Sequence, residues 1–170
     1  ESNLGSVSLG GFDRPQAARR YFRESLRWFF HAAQLEPTNR TWRVEMADAH
    51  AWIAATWSAE GRHHEARVER LEEQSLKLAL VREDPLNRAY RYAAVIASRS
   101  LARIDIELEE FPRALMLLGQ LRPEMAELLR HDPHNLVWRH QAVRIEIDSS
   151  LAYTGLRDSV RREAALRRAQ

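Results

Sequence analysis

Apolar residues recur at helical spacing over most of this chain. Between Trp42 and Trp57 they step by four, three, four and four residues, which places them on one face of a helix. Gly61 then predicts a turn, and a second stripe at helical spacing predicts another helix that ends near Arg82. This second stripe consists of Val68, Leu71, Ser75 and Leu78. The two segments together predict a helical hairpin.

The same alternation of two helices continues on both sides of this hairpin. Helical spacing returns in Tyr21 to Ala33, Tyr90 to Leu101, Ala114 to Leu129, Trp138 to Thr154 and Asp158 to Gln170. Leu4 to Gly11 is typical of the end of an earlier helix and its turn, and Asp13 with Pro15 opens the helix that follows. Gly155 predicts a turn that comes two residues earlier than the turn of the first hairpin. Pro123 predicts a kink or a split in its helix, because proline removes a backbone hydrogen bond.

Three short strings return at a spacing of 48 residues and separate these hairpins. Each string reads acid-Pro-x-Asn-x-x-aromatic-Arg. The repeated residues are Pro37, Asn39, Trp42 and Arg43, then Pro85, Asn87, Tyr90 and Arg91, then Pro133, Asn135, Trp138 and Arg139. The proline ends the preceding helix, the asparagine is a predicted N-cap, and the aromatic residue is predicted to pack between helices.

A fixed period of this length is typical of a repeat architecture, in which each unit buries its apolar face against its neighbours. The predicted units are residues 1–36, 37–84, 85–132 and 133–170, of which the first and the last are partial. We therefore expect a single all-α repeat domain that is a fragment of a larger protein.

The hairpins, the early aromatic residue and the terminal Asp-Pro resemble tetratricopeptide repeats. More specifically, they resemble the bacterial long-period variant built on Asp-Pro-x-Asn-x-x-Trp. Small residues recur where helices would cross, at Ala18, Ala66 and Ala114 and at Ala54, Ala102 and Ser150. The chain departs from the family at Ala54, where glycine is frequent. The resemblance implies a right-handed α-solenoid whose first helices line a concave, peptide-binding groove, and it implies attachment to signalling domains.

Composition and charge narrow the function classes. The chain has 45% apolar and 29% charged residues, which is ordinary for a folded protein, and no cysteine, which excludes disulfides and thiolate metal sites. No apolar run reaches the roughly 18 residues of a membrane span. Of 26 basic residues only Lys77 is lysine, and interleaved acids leave a formal charge of +2. Nucleic-acid binding is therefore not favoured, and we expect a bacterial, cytoplasmic protein.

Arginines form the most specific candidate binding feature. The resemblance implies that groove positions lie two residues before and one residue after the aromatic residue of each string. These positions hold Arg40, Arg43, Arg88, Arg91, Leu136 and Arg139, and His50 is also expected to face the groove. Repeated arginines are suited to clamp the carboxylates of an acidic segment. Alternatively, these arginines pair with acids of adjacent helices or remain solvated at helix N-terminal turns.

No catalytic constellation emerges from the sequence. The candidates are His63, His64, His131, His134, Glu107, Glu109, Glu110, Ser149 and Ser150. The histidines lack the further ligands that a metal site needs, the glutamates stand beside a turn, and the serines have no nearby base. The remaining tryptophans, Trp28, Trp52 and Trp57, are predicted to fill gaps between hairpins.

We therefore expect a non-enzymatic protein, without metal or cofactor, that binds a protein or peptide. One alternative is a self-association module that forms homo-oligomers through the open ends of the repeat array. Another is an RNA-binding helical repeat, which the arginine content suggests and the balanced charge disfavours.

Overall fold

The structure is a computed structural model that describes residues 15–169. Its seven α-helices are α1 (Pro15–Leu35), α2 (Arg40–Ala59), α3 (His63–Glu83), α4 (Arg88–Glu107), α5 (Phe111–His131), α6 (Leu136–Gly155) and α7 (Ser159–Arg168). No β-strand occurs in the described range, so the all-α prediction is confirmed there. The predicted helix end at Leu4 to Gly11 and the helix opening at Asp13 lie outside the described residues.

The helices repeat at the period of the sequence. The helices α2, α4 and α6, which we call A helices, are each 20 residues long and begin 48 residues apart. The helices α1, α3 and α5 are each 21 residues long with the same spacing, and together with α7 we call them B helices. Each helix packs against the next along the chain, and α4 also contacts α6. The result is a row of helical hairpins.

The repeated string forms a hydrogen-bonded turn between each B helix and the next A helix. The backbone N–H of each asparagine donates to the carbonyl oxygen of the acid three residues earlier, at 3.0, 3.1 and 3.3 Å. Each asparagine side chain accepts from a backbone N–H of the first helical turn at 3.1–3.2 Å: Asn39 from Thr41, Asn87 from Tyr90 and Asn135 from Trp138. The N-cap prediction is therefore confirmed, and each proline falls between two helices as expected.

The acid of the string has a structural role that the sequence did not reveal. The side-chain nitrogen of each asparagine donates to this carboxylate. The distances are 2.8 Å for Asn39 to Glu36, 3.3 Å for Asn87 to Asp84 and 3.4 Å for Asn135 to Asp132. Hydrogen bonds from Asn39 and then from Trp42 hold the pKa of Glu36 below its ordinary value. The acid therefore orients the capping side chain.

The turn inside each hairpin is also in register. Gly61, Glu109 and Arg157 lie 48 residues apart and have φ angles of 70°, 60° and 58°. The predicted early turn at Gly155 is wrong, because Gly155 is the last residue of α6. Its missing side chain serves packing instead, since a Cβ there would overlap the ring of Phe111 at the start of α5.

The apolar stripe of α3 lies largely toward solvent. The predicted helix is present. Its predicted apolar face is not buried, because Val68 is 60% exposed, and Leu71 and Leu78 are each 38% exposed. Among the residues that α3 does bury are Glu73 and Lys77. Because the buried side of α3 is partly charged, it carries no continuous apolar signal, and periodicity alone selects the wrong face.

Two apolar clusters form the core. The larger spans α4, α5 and α6 and includes Leu118 and Ile145, and the smaller joins α1 to α4 around Ile53 and Trp57. Helix α5 contributes most of the larger cluster and is assigned as one helix through Pro123, so the helix is not split there.

Most of the aromatic residues pack as predicted. Trp42 and Trp138 each contact a further ring, at centroid distances of 6.4 and 6.2 Å. Trp52 stacks on a ring of α1 at 5.8 Å, and Trp57 is 8% exposed. Trp28 is 67% exposed, so the prediction that it fills a gap between hairpins is wrong.

Candidate functional site

Two surface grooves occupy equivalent positions in successive repeats. Groove one lies between α1 and α2 and is lined by Leu26, Arg27, Phe30, Met46 and His50. Groove two lies along α4, between α3 and α5, and its lining includes Gln74, Leu78, Ala94 and Ser98. These four residues follow Leu26, Phe30, Met46 and His50 by 48 positions each. The period of the sequence therefore returns as a period of surface grooves.

The third equivalent position, between α5, α6 and α7, is bridged by ion pairs. Arg122 and Glu146 stand there in the places of Leu26 and His50. Arg122 Nε donates to Glu146 Oε1 at 2.7 Å, and Arg168 Nε donates to Glu146 Oε2 at 2.9 Å. Glu146 is 6% exposed, and its hydrogen bond with Arg122 raises the pKa of that guanidinium. We call this arrangement the Glu146 bridge.

Groove two is intermediate between these two cases. Gln74 Nε2 donates to Ser98 Oγ at 2.8 Å, which is the neutral counterpart of the contact between Arg122 and Glu146. Arg91 and Leu78 also line this groove, so it combines a charged and an apolar wall. The three positions thus run from apolar through mixed to ion-paired.

The arginines predicted to line a peptide groove fall into two groups. Arg43 forms a two-pronged ion pair with Glu83 of α3, and Arg40 Nε lies 3.3 Å from Glu83 Oε2. The hydrogen bond from Arg43 is the main cause of the lowered pKa of Glu83, and it also raises the pKa of Arg43. Arg91 Nη2 lies 2.9 Å from Glu124 Oε2 of α5. For this group, the structure shows one of the alternatives that the sequence left open, in which the arginines pair with acids of adjacent helices.

Arg88 and Arg139 form the second group. Both are exposed, and neither has an ion pair within residues 15–169. His50 lines groove one, but its Nδ1 lies 2.7 Å from Glu69 Oε2 of α3. Of the predicted groove residues, Arg88 and Arg139 are therefore the ones without an ion pair in the described part of the chain.

Ion pairs between helices were missed by sequence reasoning. Arg67 Nε lies 2.6 Å from Asp105 Oδ1, and Arg99 and Arg103 reach Asp148 at 2.7 and 3.1 Å. Both aspartate side chains are at most 2% exposed, and burial lowers the pKa of Arg99 against the opposing effect of Asp148. Two of these pairs join residues 38 and 45 positions apart, so no local pattern reveals them. The pair of Arg67 with Asp105 fixes α3 against α4, and the contacts of Asp148 fix α4 against α6.

A basic surface on α1 was also missed. Arg20, Arg23 and Arg27 line a shallow depression on this helix together with Gln16 and Glu24. The three arginines are exposed, and none has an ion pair within the described part of the chain. The available signal was their spacing of three and four residues, which places them on one side of a helix.

Residues 15–169 contain no group of three or more histidine, aspartate or glutamate side chains placed to hold a metal ion. Ser149, a candidate nucleophile, donates from its hydroxyl to the carbonyl oxygen of Ile145 at 2.8 Å and accepts from Arg122 at 2.9 Å. Its hydroxyl is thus buried in a structural contact. No helix in the same range is both long and apolar enough to cross a bilayer.

Comparisons with protein-family models, curated proteins and solved structures find no match to this chain. The resemblance to tetratricopeptide repeats therefore depends on the repeated string and the helical hairpins. Function has to be argued from the surface of this molecule.

Proposed function

We propose that this chain is a non-catalytic scaffold that binds a protein or peptide segment. In this proposal the hairpins form a right-handed superhelix of the tetratricopeptide type and belong to a bacterial, cytoplasmic signalling protein. The binding partner lies in a groove of the repeat array, and no cofactor takes part.

The recurrence of grooves at equivalent positions is the observation that carries this proposal. A row of hairpins presents the same backbone surface several times, and the side chains of each repeat adapt it separately, as the difference between groove one and the Glu146 bridge illustrates. The helices are already formed before a partner arrives, so binding orders little of the scaffold. Such a surface suits recognition of an extended partner better than chemistry on a small substrate.

The use of charged side chains supports the same conclusion. The most buried acids, Asp105 and Asp148, are held by arginines of neighbouring helices, and Glu73 lies beside Arg70 at 2.5 Å. Asp105 and Asp148 therefore serve the packing of helices against one another, whereas Arg70 and Glu73 pair within α3. Arg88 and Arg139 remain as ladder members that can take the carboxylates of an acidic segment.

Selection from a library of displayed random 12-residue peptides tests the proposal. We expect binders enriched in Asp and Glu, and we expect Arg88→Glu with Arg139→Glu to weaken them about tenfold. Arg82→Glu with Arg167→Glu is the matched control, because both residues are exposed arginines near helix C-termini, outside the ladder. A selection that yields no binder for the folded protein would refute the scaffold function, whereas unchanged affinity would exclude only the arginine ladder.

Self-association is the second candidate, and exposed apolar residues favour it. Tyr21 and Trp28 on α1 are each 67% exposed, and Ile147 and Leu151 on α6 are 43% and 44% exposed. Apolar side chains on the first and on the last but one of the described helices suit contacts between copies. Light scattering as a function of protein concentration tests this idea, with Tyr21→Ser and Trp28→Ser as the disrupting variant. A mass that stays monomeric at every concentration would rule it out.

A further inference from the structure

We propose that the basic surface of α1 and groove one together bind an acidic segment that carries a bulky apolar side chain. This inference rests on the proposed function and names the chemistry of the partner. It also adds a binding surface on α1 to the arginine ladder of that proposal.

The charge balance of α1 is the first argument. This helix contains four arginines and a single glutamate, Glu24. Arg19 is 6% exposed and is held by Glu60 of the neighbouring hairpin turn at 2.7 Å, so its charge is compensated. Arg20, Arg23 and Arg27 have no acidic partner in the described residues, although Arg23 lies 5.5 Å from the ring of Trp57. They are a concentrated positive charge in a protein whose other arginines mostly pair.

Their placement is the second argument. Arg23 follows Arg20 by three positions, and Arg27 follows Arg23 by four. The guanidinium groups therefore follow one side of the helix over about 10 Å. Carboxylates spaced one to two helical turns apart on a partner can meet them. An arginine fork donates two parallel hydrogen bonds to a carboxylate, which favours an acidic peptide over a diffuse anion.

The third argument is the groove beside these arginines. Arg27 lines both the basic depression and groove one, so the two surfaces are continuous. The other walls include Leu26, Phe30 and Met46, and Phe30 is 54% exposed. A leucine or aromatic side chain of the partner would cover this apolar wall, and the flexible methionine can adapt to its shape.

The neighbouring repeat explains why a peptide fits better than a nucleic acid. The residues of α3 equivalent to Arg20 and Arg23 are Val68 and Leu71, and both are exposed. The basic surface is thus confined to one helix and does not continue as a track for a phosphate backbone. A short acidic segment can bind to a basic surface that covers one helix.

Fluorescence anisotropy with a defined probe tests the inference. The probe is a labelled 14-residue helical peptide with glutamates on one face and leucine and phenylalanine on the other, and the same peptide with glutamine for glutamate is its neutral match. We expect the acidic probe to bind about tenfold more tightly than the neutral one. Arg20→Gln with Arg23→Gln and Arg27→Gln should remove this preference, and Phe30→Ala should weaken both probes about threefold. Arg82→Gln with Arg167→Gln is the matched control, because both are exposed arginines outside α1 and outside the ladder, and it should leave both affinities unchanged.

Each alternative outcome has a distinct meaning. An acidic probe that does not bind, or whose preference over the neutral probe survives in the triple variant of α1, overturns the inference. Polyuridylate or phosphatidylserine vesicles that bind through the three α1 arginines, while the peptide does not, overturn it in favour of RNA or membrane. The random-peptide selection is independent of this probe, so binders that map elsewhere leave the scaffold function standing. Circular dichroism of each variant confirms that the fold is retained.

Discussion

Groove one and the Glu146 bridge occupy the same place in two repeats and differ in nearly every side chain. Groove one has Leu26 and His50 where the bridge has Arg122 and Glu146. Helices α1 and α2, which hold groove one, have the same lengths as α5 and α6, which hold Arg122 and Glu146. The two helices of each pair also begin at the same spacing. The backbone repeat therefore decides where a groove can form, and the side chains decide whether it stays open or is spanned by ion pairs.

The interiors of the hairpins differ in the same way. Glu73 and Lys77 lie on the inner side of α3, while α5 has Leu121 and Met125 at the equivalent positions. Burial raises the pKa of Glu73 despite the neighbouring Arg70, since the charged carboxylate is deprived of water. The first complete hairpin thus has a polar interior where the second has an apolar one. Hairpins with the same backbone can therefore be held together either by charged or by apolar side chains at equivalent inner positions.

The largest expected effect comes from removing the centre of the Glu146 bridge. Glu146→Ala leaves Arg122 and Arg168 without their shared partner, and we expect a loss of about 2–3 kcal/mol in the free energy of unfolding, measured with urea. Both arginines are partly exposed, which keeps the loss below that of a fully buried pair. His50→Ala at the equivalent position of groove one should cost about 1 kcal/mol. Equal losses at the two positions would mean that the bridge contributes no more than the open groove does.

A smaller effect concerns the polar interior of the first hairpin. The folded state raises the pKa of Glu73, so its contribution to stability is fully present below the unfolded value near 4.5 and is lost as the pH rises through the folded value. Glu73→Gln removes this titration together with the cost of the buried charge, and it should stabilise the protein by about 1 kcal/mol at pH 7. The advantage over the wild type should shrink as the pH falls to 4. Thermal unfolding of both proteins between pH 4 and pH 7 measures this difference in stability. A difference that grows as the pH falls would contradict the raised pKa of Glu73. Leu121→Ile at the equivalent site is the pH-independent control.

The smallest effect concerns the residue with positive φ in the turn of each hairpin, a backbone feature that the two hairpins share. Glu109 has a φ of 60° at the position where the first hairpin has Gly61. Glu109→Gly relieves the left-handed conformation and should stabilise the protein by about 0.5 kcal/mol. Gly61→Ala imposes that conformation on a side chain and should destabilise by about 1 kcal/mol. Urea unfolding measures both. Effects of the same sign would mean that the two turns are not equivalent.

Short-range chemistry made much of the fold readable from the sequence. Asn39, Asn87 and Asn135 cap helices because a short amide side chain can reach a backbone N–H two or three residues away. The proline beside each cap keeps the chain out of the helix, and the 48-residue return of these signals gives the number and spacing of the hairpins. Each of these interactions joins residues that are close along the chain, so the sequence by itself determined them.

The candidate site was less readable, because its properties depend on residues far apart in the chain. Arg43 and Arg139 occupy the same position of the repeated string, yet Arg43 is held by Glu83, and Arg139 has no ion pair within residues 15–169. The ion pair of Arg43 depends on the packing of α2 against α3, which brings together residues 40 positions apart. Arg20 on α1 was overlooked because its surroundings depend on which side of the helix is covered.

Two further features were decided by tertiary structure for the same reason. The outward position of Val68 follows from the charged contacts that α3 makes on its other side. Gly155 has no side chain at the place where the ring of Phe111 packs, and this contact between α6 and α5 forms only in the folded protein. The sequence determined the helices, caps and turns through neighbours along the chain, whereas burial, ion pairing and groove lining required the complementary surfaces of helices that meet only in the folded protein.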